Sequence, residues 1–198
     1  MAAAEEIQEV QPGVHLWQAY SAQAKVEITS HAVGCGGMLY LVDPIRLTHS
    51  GLSQLEELPA KVSAILLTNG NHERDSAFYR DRYGVPVFAH PEAAAEISIG
   101  TEPFPDGLNG LEVLTLPGAG AGEVGFYFPQ KKLLILGDIV INLDSFSFAP
   151  LPDKYATDAK QMRRSLQLLT TLDVSTICFA HGLPVRGETS KRLAALVD

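Results

Sequence analysis

The run Val62-Ser63-Ala64-Ile65-Leu66-Leu67 constrains this chain more than any other stretch. Apart from Ser63 it is apolar throughout, without the polar alternation of a half-solvated strand. A strand that reads this way is buried on both faces, as happens inside a sheet covered by helices. It runs directly into Thr68-Asn69-Gly70-Asn71, a cluster of turn formers. A helix is expected to follow from about Glu73 to Tyr83, closed by Gly84. Strand, polar loop and helix in succession point to an α/β protein, and such proteins place their sites at strand ends.

The rest of the chain repeats the theme. Strands are expected at Val14 to Tyr20, Val26 to Ile28, Met38 to Val42, Val85 to Ala89, Leu111 to Leu116 and Val174 to Ala180. Gly125 to Phe128 and Lys132 to Leu136 read as a hairpin around Pro129-Gln130. Asp43-Pro44 ends its run in a turn, because proline restricts the residue before it and donates nothing to a ladder. Helices are expected over Ser50 to Leu58, from Pro91 to Ile97, over Thr157 to Leu172 and over Ser190 to Val197. The segment Phe146 to Pro150 contains apolar residues that read as core, with a contact surface or a cover over the cleft as the alternatives. There is no repeat and no Ser/Gly linker, so residues 1–198 read as one domain, which suits the length.

Composition narrows the function classes. The formal net charge is −8, which disfavours nonspecific binding to nucleic acid or to an anionic membrane, because phosphates are repelled. Neither is an expected partner. Two cysteines, Cys35 and Cys178, make no disulfide framework and no CxxC metal pair; both sit in apolar surroundings and read as buried thiols. The N-terminus, Met-Ala-Ala-Ala-Glu-Glu, reads as neither a secretory signal nor a transit peptide, so the cytoplasm is the expected address. No apolar run reaches membrane-spanning length. Gly118, Gly120 and Gly122 lack the Lys-Ser/Thr of a phosphate loop, and there is no G-x-S-x-G elbow.

Four segments, each after an apolar strand, then carry the chemistry: Thr68-Asn69-Gly70-Asn71-His72-Glu73-Arg74, Pro117-Gly118-Ala119-Gly120-Ala121-Gly122-Glu123, Gly137-Asp138 and Ala180-His181-Gly182. In order and spacing they resemble the metallo-β-lactamase superfamily, which includes glyoxalase II. That family carries Thr-His-x-His-x-Asp-His, then Pro-Gly-His, then Gly-Asp, then a late Gly-His-Gly. The resemblance runs from about Met38 to the end. It implies an α/β (α+β) fold: an αββα four-layer sandwich, two mixed sheets face to face with helices outside. A narrower subgroup of that fold with Leu-Thr-Asn-x-x-His-x-Arg in place of the metal motif is also similar.

Carried over position by position, the resemblance puts the family's first two histidines on Asn69 and Asn71. Its aspartate falls on Glu73, the following histidine on Arg74 and the turn histidine on Ala119. Asp138 and His181 survive as the bridging aspartate and the last histidine. His72 falls on a spacer and reads as a hydrogen-bonded or exposed histidine rather than a ligand. His15, His31, His49 and His90 match no motif position, although His49 could reach the rim of the pocket. Amides, a methyl group and a guanidinium are poor or hostile zinc ligands. The resemblance therefore implies a degenerate site with the metal motif largely lost, in which no metal and no two-zinc centre is expected. A carboxylate left at Asp138 needs a partner, and Arg74, with help from His181, is the expected one.

The function expected on this reading is a metal-free pseudoenzyme. Its residual cleft would hold a small polar or anionic ligand against Asn69, Asn71, His72, Glu73, Arg74, Asp138 and His181. The alternative is an ester or thioester hydrolase, using a single residual metal at Asp138, His181 and Glu73 or a metal-independent general base. A purely structural subunit is a third reading. The sequence assigns no oligomeric state.

Overall fold

The computed structural model describes residues 3–143 and 147–197. Its first sheet takes six strands in chain order: β1 (Gln8–Gln11), β2 (Val14–Ser21), β3 (Val26–Cys35), β4 (Met38–Val42), β5 (Lys61–Leu66) and β6 (Val87–Phe88). β1 to β4 form an antiparallel meander, whereas β4, β5 and β6 run parallel. The parallel pairs need crossovers, which α1 (His49–Glu56) and α2 (Ser76–Tyr83) supply.

The second sheet is built from β7 (Glu112–Thr115), β8 (Val124–Phe128) and β9 (Leu133–Leu136). A hairpin of β10 (Val140–Leu143) and β11 (Ser147–Pro150) follows, then α3 (Ala159–Leu169), β12 (Thr176–Phe179), β13 (Val185–Arg186) and α4 (Thr189–Ala194). The strand order is β13-β12-β9-β8-β7, with β9 and β12 parallel and the other pairs antiparallel. Two mixed sheets flanked by helices make the four-layer sandwich that the motifs imply.

The period of two along each strand sorts the apolar side chains into three layers. Leu39 and Leu41 point out from β4 to Leu52, Leu55 and Tyr79 beneath α1 and α2. Tyr40 and Val42, from the same strand, point inward and meet Phe126, Phe128, Leu133 and Ile135 across the gap between the sheets. Leu134 and Leu136 face the other way, onto Met162, Leu166 and Leu169 of α3. These three are the stripe that α3 buries, and Asp158 caps its start by accepting from the Gln161 N–H at 2.9 Å.

Several elements depart from the sequence reading. The helix expected from Glu73 begins only at Ser76, although Gly84 does close it in the left-handed region. The helix expected after Pro91 is a single 3₁₀ turn, Pro91–Ala93. Strand β1 and the β10–β11 hairpin were not foreseen. In the segment read as core, Phe146 lies outside the described residues, and Phe148 packs half-buried and edge-on against Phe179 at 5.8 Å. Cys178 is buried between the sheets, which pushes its thiol up to about 12, but Cys35 is only half-buried. Among the described residues, no helix is long and apolar enough to cross a membrane.

Candidate metal centre

β4 and β5 run parallel and end side by side, so Asp43, after the first, meets Thr68, two residues past the second. Asp43 takes a left-handed conformation with φ 46° and is 1% exposed. Its carboxylate accepts from the Thr68 N–H at 2.9 Å, from Thr68 Oγ1 at 2.6 Å and from His72 Nδ1 at 3.0 Å. Burial alone would raise its pKa. The charge and hydrogen bond of His72, the nearby Arg74 guanidinium and Thr68 outweigh that and hold it below the usual carboxylate range.

Asn69 stands extended at the head of a 3₁₀ turn, Gly70–His72, and its Oδ1 accepts from the Asn71 N–H at 2.9 Å. A 3₁₀ turn has three residues per revolution, so side chains at i and i+3 eclipse. His72 therefore comes to lie on the same side as Asn69, buried, while Asn71 is exposed. Asn69 Nδ2 donates to Glu123 Oε2 at 2.7 Å and to Asp138 Oδ2 at 3.0 Å. With Nδ1–H directed at Asp43, His72 turns Nε2 toward Asp138 Oδ1, 3.4 Å away. His181 Nε2 lies 3.1 Å from the same oxygen.

Asp138 reaches this point because Gly137 directly follows β9. A Cβ at Gly137 would lie 2.5 Å from Glu123 Oε1 and 2.8 Å from Thr68 Oγ1, so only glycine lets the two loops close up. Burial raises the pKa of Asp138, but the charges and hydrogen bonds of His72 and His181 win and hold it well below the usual range. Glu123 goes the other way. It is fully buried, accepts the Ile139 N–H at 3.0 Å, and burial plus the Asp138 charge push it up to about 8. Burial works against a charge on His72, yet Asp138 and Asp43 overcome it and hold the ring at about 9.

His181 follows β12, and its segment is tied to the β10–β11 hairpin and to the first sheet. Its carbonyl accepts from the Asn142 N–H at 3.0 Å, while the neighbouring Ala180 carbonyl accepts from the Thr29 N–H at 2.8 Å. Arg74, at φ 46°, threads beneath the site. Its Nη1 donates to the carbonyls of Thr29 at 2.6 Å and Asp43 at 2.9 Å, and its Nη2 to that of Ala180 at 3.3 Å. The guanidinium thus joins strand ends from opposite sheets, and with them the segments carrying Asp43 and His181.

His72, Asp138 and His181 offer one donor atom each, all within 4.8 Å of one another. Donors around a single metal ion at about 2.0–2.2 Å stand roughly 3–3.6 Å apart, which is the spacing of both histidines from Asp138 Oδ1. A lone pair on His72 Nε2 facing a carboxylate is repulsive unless a proton or a shared cation lies between them. The Asp43–His72 contact is the carboxylate–histidine pairing that orients a metal-ligating imidazole. The residues therefore fit one ion. They do not fit a second: Asn69 presents its amide nitrogen to the carboxylates, Asn71 is exposed and Ala119 offers a methyl group.

The profile of the Metallo-beta-lactamase superfamily matches residues 34–181. The chain is a member of that superfamily. Among solved structures, the metallo-beta-lactamase DIM-1 superposes with a TM-score of 0.76 at 17% identity, covering 99% of this chain and 98% of its own. A metallo-beta-lactamase from Pontibacter korlensis gives 0.75 at 22% identity, covering 97% and 96%. TTHA1623, solved in a di-iron-bound form, gives 0.67 at 24% identity, covering 81% and 90%. No curated protein matches the chain.

Three expectations for this metallo-β-lactamase-fold site are corrected. The metal motif is not simply lost, because His72, Asp138 and His181 form a cluster able to hold a metal. The metal-free, cofactor-free pseudoenzyme and its degenerate site are set aside on that finding. His72, taken for a spacer, is a member of the cluster, whereas Glu73 is not. The Glu73 carboxylate accepts from the Ser98 N–H and from Ser98 Oγ, the latter at 2.6 Å. The expected Arg74–Asp138 pair is not formed either: Asp138 is met by the two histidines and Asn69, and Arg74 spends its donors on carbonyls. Asp43 and Glu123 went unrecognised. The signal for Asp43 was its place at the end of the strand parallel to Val62–Leu67; for Glu123 it was an acid closing a glycine-rich turn. His49 is exposed at the start of α1 and lies outside the cluster.

Proposed function

We propose that the chain forms one domain that binds a single transition-metal ion through His72 Nε2, Asp138 and His181 Nε2 and hydrolyses an activated ester or thioester. The observation that supports this is the convergence of three donors, one of them already oriented by a buried carboxylate. Two histidines and one carboxylate leave coordination positions open for a substrate. Bound there, a divalent metal supplies Lewis-acid polarisation of a carbonyl.

The chain's own residues do the rest. Asp43 holds one proton of His72 on Nδ1, so that Nε2 is the nitrogen whose proton a metal would displace. Asn69 spaces Asp138 from Glu123 and gives each a hydrogen bond. Arg74 and Thr29 fix the segment carrying His181 against the sheet that carries His72.

Elemental analysis of protein purified without chelator tests the reading. The expected result is one metal per chain, lost from His72→Ala and from His181→Ala, together with ester or thioester turnover that chelator abolishes. No bound metal, or a metal retained in His72→Ala, overturns it.

A further inference from the structure

Beside the segment that carries His181 lies a groove of about 680 Å³. Gly182, the next residue, forms part of its wall, and so does Asn142, whose amide Nδ2 donates to the Leu183 carbonyl at 2.8 Å. The groove is of two characters. Val26, Leu143, Phe148 and Leu183 give it an apolar side, and Leu183 is 57% exposed. Lys25, in the left-handed turn between β2 and β3, and Arg192, on α4, bring two cations to the same space. Among the described residues, neither cation is in an ion pair. On a chain of net charge −8, two unpaired cations facing one groove mark a place for an anion. Among the described residues Glu27 also lines it, so that one positive charge is in excess there, which favours a monoanion over a dianion.

We propose that this groove receives a small amphipathic carboxylate. Its short apolar chain would lie along Leu183, Phe148, Leu143 and Val26, and its anionic end would meet Lys25 and Arg192. Resting on the function proposed above, this names the substrate class: esters or thioesters with a carboxylate at the far end of a short aliphatic chain. The reacting end points past Gly182 toward His181, and the charged end points away from it.

Monomethyl adipate and dimethyl adipate, which differ by one charge, are the probes. Calorimetric titration into the full-length protein, both as purified and after chelator treatment, separates groove from metal. The monoanion is expected to bind at least about tenfold more tightly than the diester, with that advantage lost in a Lys25→Ala/Arg192→Ala double variant. Leu183→Asp is expected to weaken both probes, and acetate to bind no better than the diester. Equal binding of the two probes, or an unchanged advantage in the double variant, overturns the proposal, as does monoanion binding that depends on the metal rather than on the two cations. Because the chelator-treated protein is titrated too, absence of a metal would refute the hydrolase reading while leaving this binding test intact.

Discussion

Changing Asp43 to Asn tests the reasoning where it is most exposed. Asp43 Oδ2 is met by two groups, Thr68 Oγ1 at 2.6 Å and His72 Nδ1 at 3.0 Å, while Oδ1 takes the Thr68 N–H at 2.9 Å. In Asp43→Asn the amide oxygen can keep the Thr68 N–H, but the amide nitrogen then faces Thr68 and His72 as a donor. His72 Nδ1 then loses its carboxylate acceptor and faces an N–H, with the Thr68 hydroxyl at 2.7 Å as its remaining neutral neighbour, which favours the tautomer with the proton on Nε2, the atom that faces Asp138 and His181. The lone pair is thereby removed from the cluster without removing the imidazole. Loss of such an orienting partner costs about 10–100-fold in metal affinity, or roughly 1.4–2.7 kcal/mol. Competition against a chromophoric chelator at neutral pH measures it, and the imidazole nitrogen shifts report the tautomer. Thr68→Val, which keeps the carboxylate, is expected to cost less. An affinity for Asp43→Asn within threefold of the parent, in protein that melts cooperatively, would refute the claim that Asp43 sets the donor atom of His72.

Other expectations follow from the same contacts. In metal-free protein the His72 pKa is raised from 6.5 to about 9, so its contribution is fully present below pH 6.5 and is lost as pH rises through 9. The loss is about 3 kcal/mol. Glu123, raised to about 8, shifts stability the same way between pH 4.5 and 8. Urea unfolding of metal-free protein at pH 6 and pH 9 should show the decline, and His72→Gln should reduce it to the part that Glu123 contributes below about pH 8; a flat parent profile contradicts the ionic pairing. Glu73→Gln should keep one metal per chain and cost no more than about 1 kcal/mol, since its partner is Ser98 and not the cluster; a lost metal would return Glu73 to the ligand set. Gly182→Ala should destabilise by more than about 2 kcal/mol, because φ is 110° and a Cβ would overlap the Asn142 carbonyl. Thermal melts check that directly. Phe126→Ala, between the sheets, should cost about 3–5 kcal/mol by the same measurement.

The sandwich was legible because its signals are periodic or covalent. The apolar run Val62–Leu67 announces a covered strand, the period of two in β4 and β9 splits their residues between layers, and Gly84 marks a helix end. Strand β1 was not legible, since Gln8, Glu9 and Gln11 carry no apolar pattern and pair only because β2 offers a free edge. Asp138 and His181 were legible as members of a site because each ends an apolar strand. The partner of Asp138 was not. Electrostatics required a positive group, and Arg74 is the permanent cation standing at a family ligand position. Its backbone at φ 46° sends the guanidinium to three carbonyl oxygens instead.

The misreading of His72 has a geometric cause. Carrying a motif over position by position assumes that each residue points where its counterpart points, which holds along a strand and fails in a loop. Here residues 70–72 form one 3₁₀ turn, and its eclipsed i, i+3 spacing sets His72 over Asn69 while Asn71 swings outward. The donor thus sits three residues after the first family position, and the Asp43 carboxylate waits at the end of the adjacent parallel strand to orient it. What the fold holds in place is the meeting point of two strand ends, with Asp138 at its centre. Which loop residue brings the imidazole there depends on the turn. A search for such sites should therefore ask which side chains a turn can deliver to Asp138, rather than which letters recur at fixed offsets.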